Sequence, residues 1–119
     1  MTSLAPAKAR AAREPRSKFG NRWTEVDGIR FQSKLEAKRW GELNLLERAG
    51  TIRNLRRQER FPLTVRGVRI GHYVADSFYF EGDQQVAEET KGFWTDLAKW
   101  KRKHFEAEYQ AIELRIVKA

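Results

Sequence analysis

The amino-acid sequence predicts a small α/β domain, a mixed central sheet flanked by two helices, with an N-terminal hairpin. Three observations lead there. Two segments carry apolar residues at helical spacing behind a capping signal, one over 33–49 and one after Thr95. Between and beyond them, short runs alternate apolar and polar residues, as half-buried strands do. The dipeptides Asp27-Gly28, Arg66-Gly67 and Gly82-Asp83 supply tight turns between those runs. A hairpin, a helix, several strands, a helix and a last strand make one sheet with helices packed on it.

Each element follows from its residues. Residues 1–18 are rich in Ala, Arg, Lys and Pro and read as a flexible basic tail, leaving 19–119 as a single domain. Asp27-Gly28 lies between Val26 and Ile29 and predicts a short hairpin over Arg22–Phe31. Leu35, Leu43 and Leu46 then mark one helical face, with Ser33 as the starting cap and Gly50 as the end. Two short strands are expected around Arg66-Gly67, and Pro62 puts that hairpin at a sheet edge or bulge. Tyr73–Gly92 reads as a second hairpin. A helix capped by Thr95 or Asp96 follows, with Leu97, Ala98, Trp100, Phe105 and Tyr109 as its apolar side, and Ile112, Leu114 and Ile116 close the sheet.

The chain has 119 residues, enough for one modest core. It contains no cysteine, which excludes disulfides and thiolate metal sites and fits an intracellular, cytoplasmic setting. No apolar run is long enough to span a bilayer, so no membrane partner is expected. The formal net charge is +8, and half of it sits in residues 1–20. A small domain this basic points to a polyanion, nucleic acid first. No GxxxxGK[ST] loop appears, so no nucleotide triphosphate is expected; HExxH and zinc spacings are absent too.

The stretch YVADSFYFEGDQQVAEETKG, residues 73–92, carries the chemistry. Asp76 sits inside its first apolar run, and Glu89 and Lys91 sit inside the second. If Gly82-Asp83 form a two-residue loop, opposed residue numbers always sum to 165, which sets Asp76 against Glu89. Residues two apart share a strand face, so Lys91 joins Glu89 there and Glu88 points away. Two like charges directly opposed in a sheet are destabilising. A divalent cation between them offsets that repulsion, and two carboxylates with waters are a common way to hold Mg²⁺. A lysine beside such an ion can orient an attacking water or stabilise charge on a phosphate. The acid-x-Lys triplet Glu89-Thr90-Lys91 is weak alone. Glu36-Ala37-Lys38 matches it as well, and a solvated surface ion pair is the bland alternative. It is the opposition of Asp76 and the apolar setting, with Val74, Phe78 and Phe80 expected on its face, that favour a metal site.

These residues resemble the signature of the PD-(D/E)XK nuclease superfamily: an acid in a first helix, an Asp in a bent strand, Glu-x-Lys on the next strand, then a helix. The similarity is closer to a small phage-encoded branch of endonuclease I-like, Holliday-junction-resolvase-like proteins and extends over about residues 18–117. KFGNRWTEVDGIRFQSKLEAKRW, LERAGTIRNLRRQERFPL, YVADSFYF, ETKGFWTD and KRKHFE carry it. The resemblance implies a restriction-endonuclease-like fold and a metal-dependent DNA endonuclease in a bacterial cell. It implies Asp76 and Glu89 as ligands of Mg²⁺ or Mn²⁺, the Thr90 carbonyl as a further ligand, Lys91 as the catalytic lysine, and Glu36 as the helical acid. The chain departs from the pattern twice. Ala75 stands where the signature has Pro, and Glu89 stands where the branch often has Asp. Resolvases of this kind act as dimers, because a junction needs paired cuts, so a homodimer is implied; no dimer seam is legible in the chain.

Several candidates have structural rivals. Ser33-Lys34-Leu35-Glu36 is a capping box, which explains Glu36 without catalysis. Lys99, Lys101, Arg102 and Lys103 crowd the second helix beside Trp100 and are the expected DNA contacts; a solvated face snorkelling over Trp100 is the rival. Gln58 is a weak site candidate. His72 is placed by strand period on Asp76's face, and His104 lies in the basic helix; each reads more readily as structural. The expected function is hydrolysis of DNA phosphodiesters, with branched DNA as a candidate substrate. The alternative is a non-catalytic, basic DNA-binding accessory protein.

Overall fold

The structure, a computed structural model, describes residues 24–26, 28–90 and 94–118. The basic tail expected at 1–18, Asp27 and Lys91 lie outside them. The chain divides into two compact units, 1–38 and 39–119.

In the first unit, β1 (Thr24–Val26) and β2 (Ile29–Phe31) form the expected antiparallel hairpin, with Val26 opposite Ile29. Gly28 takes φ +81°, as the tight turn demands. Helix α1 (Lys34–Arg48) starts there and runs into the second unit. Ser33 Oγ accepts the Glu36 N–H at 3.1 Å, so the expected cap is formed. Gly50, at φ +82°, ends the helix.

The second unit is built on a four-stranded mixed sheet in the order β3-β4-β5-β6. Strands β3 (Arg53–Val65) and β4 (Val68–Glu81) turn at Arg66-Gly67. Both are far longer than the short strands expected, because cross-strand hydrogen bonds continue past the polar positions Arg56 to Arg60. Pro62 lies on β3, an edge strand, where a missing N–H is tolerated. Strand β5 (Gln84–Thr90) returns antiparallel beside β4, and β6 (Ile112–Val117) runs parallel to β5 after helix α2 (Asp96–Glu108). Thr95 caps α2, its Oγ accepting the Ala98 N–H at 3.0 Å.

Each sheet face carries its own apolar cluster. On one, Leu43 of α1 packs with Ile52, Tyr79 and Val86. On the other, Phe105 of α2 packs with Phe61, Leu63, Tyr73, Ala75 and Phe78. Tyr73 and Phe105 stack at 4.6 Å between ring centroids. The expected apolar side of α2 is therefore corrected. Phe105 and Tyr109 do pack, but Leu97 and Trp100 are exposed, Trp100 by 74%. Asp96, Lys99, Trp100 and Lys103 form one stripe on the helix, opposite the stripe that holds Ala98, Lys101 and Phe105.

One irregularity positions the site. Tyr73, Ala75 and Tyr79 have the same strand parity, yet Tyr73 and Ala75 belong to the α2-side cluster and Tyr79 to the α1-side cluster. Alternation thus inverts in β4 between Ala75 and Phe78, at Asp76 and Ser77. Across the ladder, Arg57↔Ser77 and Glu59↔Ala75 bracket Gln58, whose φ is +55°. A left-handed backbone is costly for a residue with a side chain, and here it bends β3 beside Asp76. The expectation that His72, Val74, Phe78 and Phe80 share Asp76's face by strand period is corrected by this inversion.

Candidate active site

The turn at Gly82-Asp83 sets the register expected from the sequence. Pairs run from Glu81↔Gln84 to Ser77↔Glu88, and the next step brings Asp76 to Glu89. The ladder pairing stops at that step. There the Thr90 N–H and the Thr90 hydroxyl both donate to Asp76 Oδ2, at 2.7 and 2.9 Å. Asp76 is thereby bonded to the neighbour of Glu89, and the two donors fix how its carboxylate is turned.

Glu88 and Glu89 are both buried, at 1% and 7% exposure, and point to opposite faces of β5. Glu88 belongs to the α1 side. Arg39 donates to it twice, Nε to Oε1 at 2.9 Å and Nη2 to Oε2 at 2.7 Å, and the Tyr79 hydroxyl adds a third bond at 2.5 Å. That bidentate bond raises the Arg39 pKa above its ordinary value, and burial raises that of Tyr79.

Glu89 belongs to the α2 side, where the buried Tyr73 hydroxyl donates to Oε1. Burial pushes the Tyr73 pKa well above its ordinary value, followed by the negative charges of Glu89 and, more weakly, Asp76. One hydroxyl thus feels both carboxylates. A groove of about 190 Å³ opens at this point, lined by His72, Tyr73, Val74, Glu89, Ala98 and Lys101.

Asp76 and Glu89 offer oxygen donors of the kind that hard divalent cations take, and the fixed Asp76 carboxylate lowers the cost of ordering a site. The donor set fits Mg²⁺ or Mn²⁺ with waters completing the shell. Among the described residues no group of three or more His, Asp or Glu converges to form a metal cage. Glu36 lies in the first unit and is buried, whereas Asp76, Glu89 and Thr90 lie in the second.

The four cations of α2 are not one patch. Lys101 lines the Glu89 groove. Arg102 stands over the Trp94 ring, 5.0 Å from its centroid, and pairs with Glu106 at 3.9 Å. Lys99 and Lys103 flank exposed Trp100. His104 is structural in its contacts: its Nε2 meets the Thr64 carbonyl at 2.9 Å and Glu108 at 3.3 Å. Sequence reasoning missed Tyr73 and Arg39. Their apolar and helical settings gave no sign of a carboxylate partner, which lies 16 residues away for Tyr73 and 49 for Arg39.

No helix among the described residues is long and apolar enough to cross a membrane. No curated protein and no solved structure matched the chain. A family model described as "Protein of unknown function (DUF1064)" matches residues 16–119, nearly the whole sequence, and the chain belongs to that family.

Proposed function

We propose that the protein is a metal-dependent DNA endonuclease of the PD-(D/E)XK type, acting in a bacterial cell and of phage origin. The observation that carries this reading is the pair Asp76 and Glu89 at the end of the β4–β5 ladder, Asp76 fixed by Thr90 and Glu89 by Tyr73. A half-buried and a buried carboxylate at adjoining ladder positions suit a divalent cation.

Asp76, Glu89 and the Thr90 carbonyl would hold Mg²⁺ or Mn²⁺. The ion, when bound, supplies Lewis acidity at the phosphate and makes the attacking water more acidic. Tyr73 keeps its proton at any working pH and holds Glu89 in place. Thr90 does the same for Asp76. Lys91 follows Thr90 directly; its role is to orient the water and offset charge building on the phosphate. Water oxygen bonds to phosphorus, the bond to the 3′ oxygen breaks, and that oxygen takes up a proton, leaving 5′-phosphate and 3′-hydroxyl ends.

The test is a panel of four-way junction, duplex, single-stranded and RNA-containing substrates, incubated with Mg²⁺ and with EDTA. Cutting that needs the metal and is lost in Asp76→Ala, while binding persists, supports the enzyme. Symmetric paired incision of the junction supports a homodimer. Binding without cutting, in Mg²⁺ and in Mn²⁺, overturns it in favour of a non-catalytic DNA-binding protein. The observation behind that second reading is Lys99 and Lys103, two cations beside an exposed tryptophan.

A further inference from the structure

We infer that Trp100, with Lys99 and Lys103 beside it, is a stacking platform for one unpaired base of a single-stranded nucleic acid. The inference rests on the nucleic-acid reading above but not on catalysis.

The fold treats two nearby tryptophans differently. The Arg102 guanidinium covers the ring of Trp94. Trp100 is 74% exposed, and among the described residues no ring contact, hydrogen bond or ion engages it. Leu97, one turn earlier on the same helix, is exposed as well. Aromatic rings offer large burial, and this one is left for a partner to cover.

The flanks of Trp100 select that partner. Asp96, Lys99, Trp100 and Lys103 bound an opening of about 330 Å³. Neither lysine meets an acid among the described residues, whereas Arg102 pairs with Glu106 and His104 with Glu108 on the same helix. The two lysines outnumber Asp96, so the opening favours an anion. A flat ring bordered by flexible ammonium groups matches a nucleotide: the base stacks on the indole and the adjoining phosphates meet the lysines. A base pair inside a duplex already has both faces stacked, so only an unpaired base has one to offer. A lipid surface fits less well. An interfacial helix needs a long apolar face, and α2 buries its own against the sheet through Phe105.

The platform is separate from the groove beside Glu89. Ala98 and Lys101 line that groove, and Trp100 leaves α2 from the opposite side. A helix with its side chains is about 10–12 Å across. The stacked base therefore belongs to a different nucleotide from any phosphate at Asp76 and Glu89. The ligand class is nucleic acid with an unpaired segment, such as a flap, a gap or a single strand.

The test uses the full chain in EDTA with three probes: short oligo(dT), a blunt duplex of the same length, and vesicles of phosphatidylserine and phosphatidylcholine. Trp100→Ala should weaken oligo(dT) binding about tenfold and duplex binding by less than about twofold. Trp100→Phe keeps an aromatic face and should recover most of the loss. Replacing Lys99 and Lys103 together by Ala should flatten the salt dependence of oligo(dT) binding, by about 0.7 in slope for each lysine. A wild type that binds no oligo(dT), or a Trp100→Ala variant that binds it as wild type, overturns the platform. So does an equal loss on duplex and oligo(dT), or a loss confined to the vesicles. If Trp100 matters for oligo(dT) but no metal yields cutting, the platform stands and the nuclease reading fails. If duplex is cut and Trp100 is idle on oligo(dT), the nuclease reading stands and the platform fails.

Discussion

Glu88 and Glu89 are neighbours in the chain, alike in chemistry and in burial, yet their surroundings differ. Glu88 is answered completely: Arg39 meets it with two bonds and Tyr79 with a third. Glu89 has a neutral phenol from Tyr73 and faces a groove that holds Lys101 and His72. The first arrangement ties α1 to β5 and leaves nothing for a ligand. The second places a carboxylate beside Asp76 at the mouth of an opening. Burial of an acid is therefore a poor guide to function; what distinguishes these two is that Glu88 is closed in between α1 and β5 whereas Glu89 lines an opening.

That contrast can be broken or sharpened by substitution. The largest effect is expected at Asp76. Asp76→Ala should cut the rate of metal-dependent DNA cleavage by a factor of about 10³, read in single-turnover assays, with the melting temperature close to wild type. Next is Glu88→Ala, which takes from Arg39 its two bonds to the sheet and leaves it Glu42 on its own helix. It should cost about 2–4 kcal/mol in urea unfolding. Preserved stability there would mean that the Glu88–Arg39 pair is idle. Tyr73→Phe keeps the ring stack on Phe105 but removes the bond to Glu89, for a loss of about 1 kcal/mol. The smallest effect is a pH dependence. The pKa of Tyr73 is raised in the folded state, so its contribution is complete below the ordinary tyrosine value of about 10 and is lost as pH rises beyond it. Urea midpoints measured between pH 8 and 11 should fall at the alkaline end, and less steeply in Tyr73→Phe.

Much of this was legible in the sequence. Ser33 and Thr95 cap the helices they were expected to cap, because capping is a local matter of one side chain and the first turn. The Gly82-Asp83 turn set the β4–β5 register, and with it the approach of Asp76 to Glu89. Strand period failed at Asp76 itself. The inversion there lies across from Gln58 in β3, whose positive φ nothing in its residue type announces. The lengths of β3 and β4 were missed for a related reason: edge-strand pairing carries polar residues that no hydrophobic alternation reports. Trp100 reads as core by spacing, yet α2 turns it away from Phe105. The separation of Glu88 from Glu89 was predicted by parity, but not Arg39, whose partnership exists only once α1 lies against the sheet.

The most direct test of the difference between the two glutamates is a paired measurement of Glu88→Gln and Glu89→Gln. Both proteins are assayed on a four-way junction and a duplex with Mg²⁺, below the melting temperature of the weaker variant. Folded but inactive Glu89→Gln beside active, less stable Glu88→Gln is the predicted result. Wild-type cleavage by Glu89→Gln, or loss of cleavage in a well-folded Glu88→Gln alone, would contradict it.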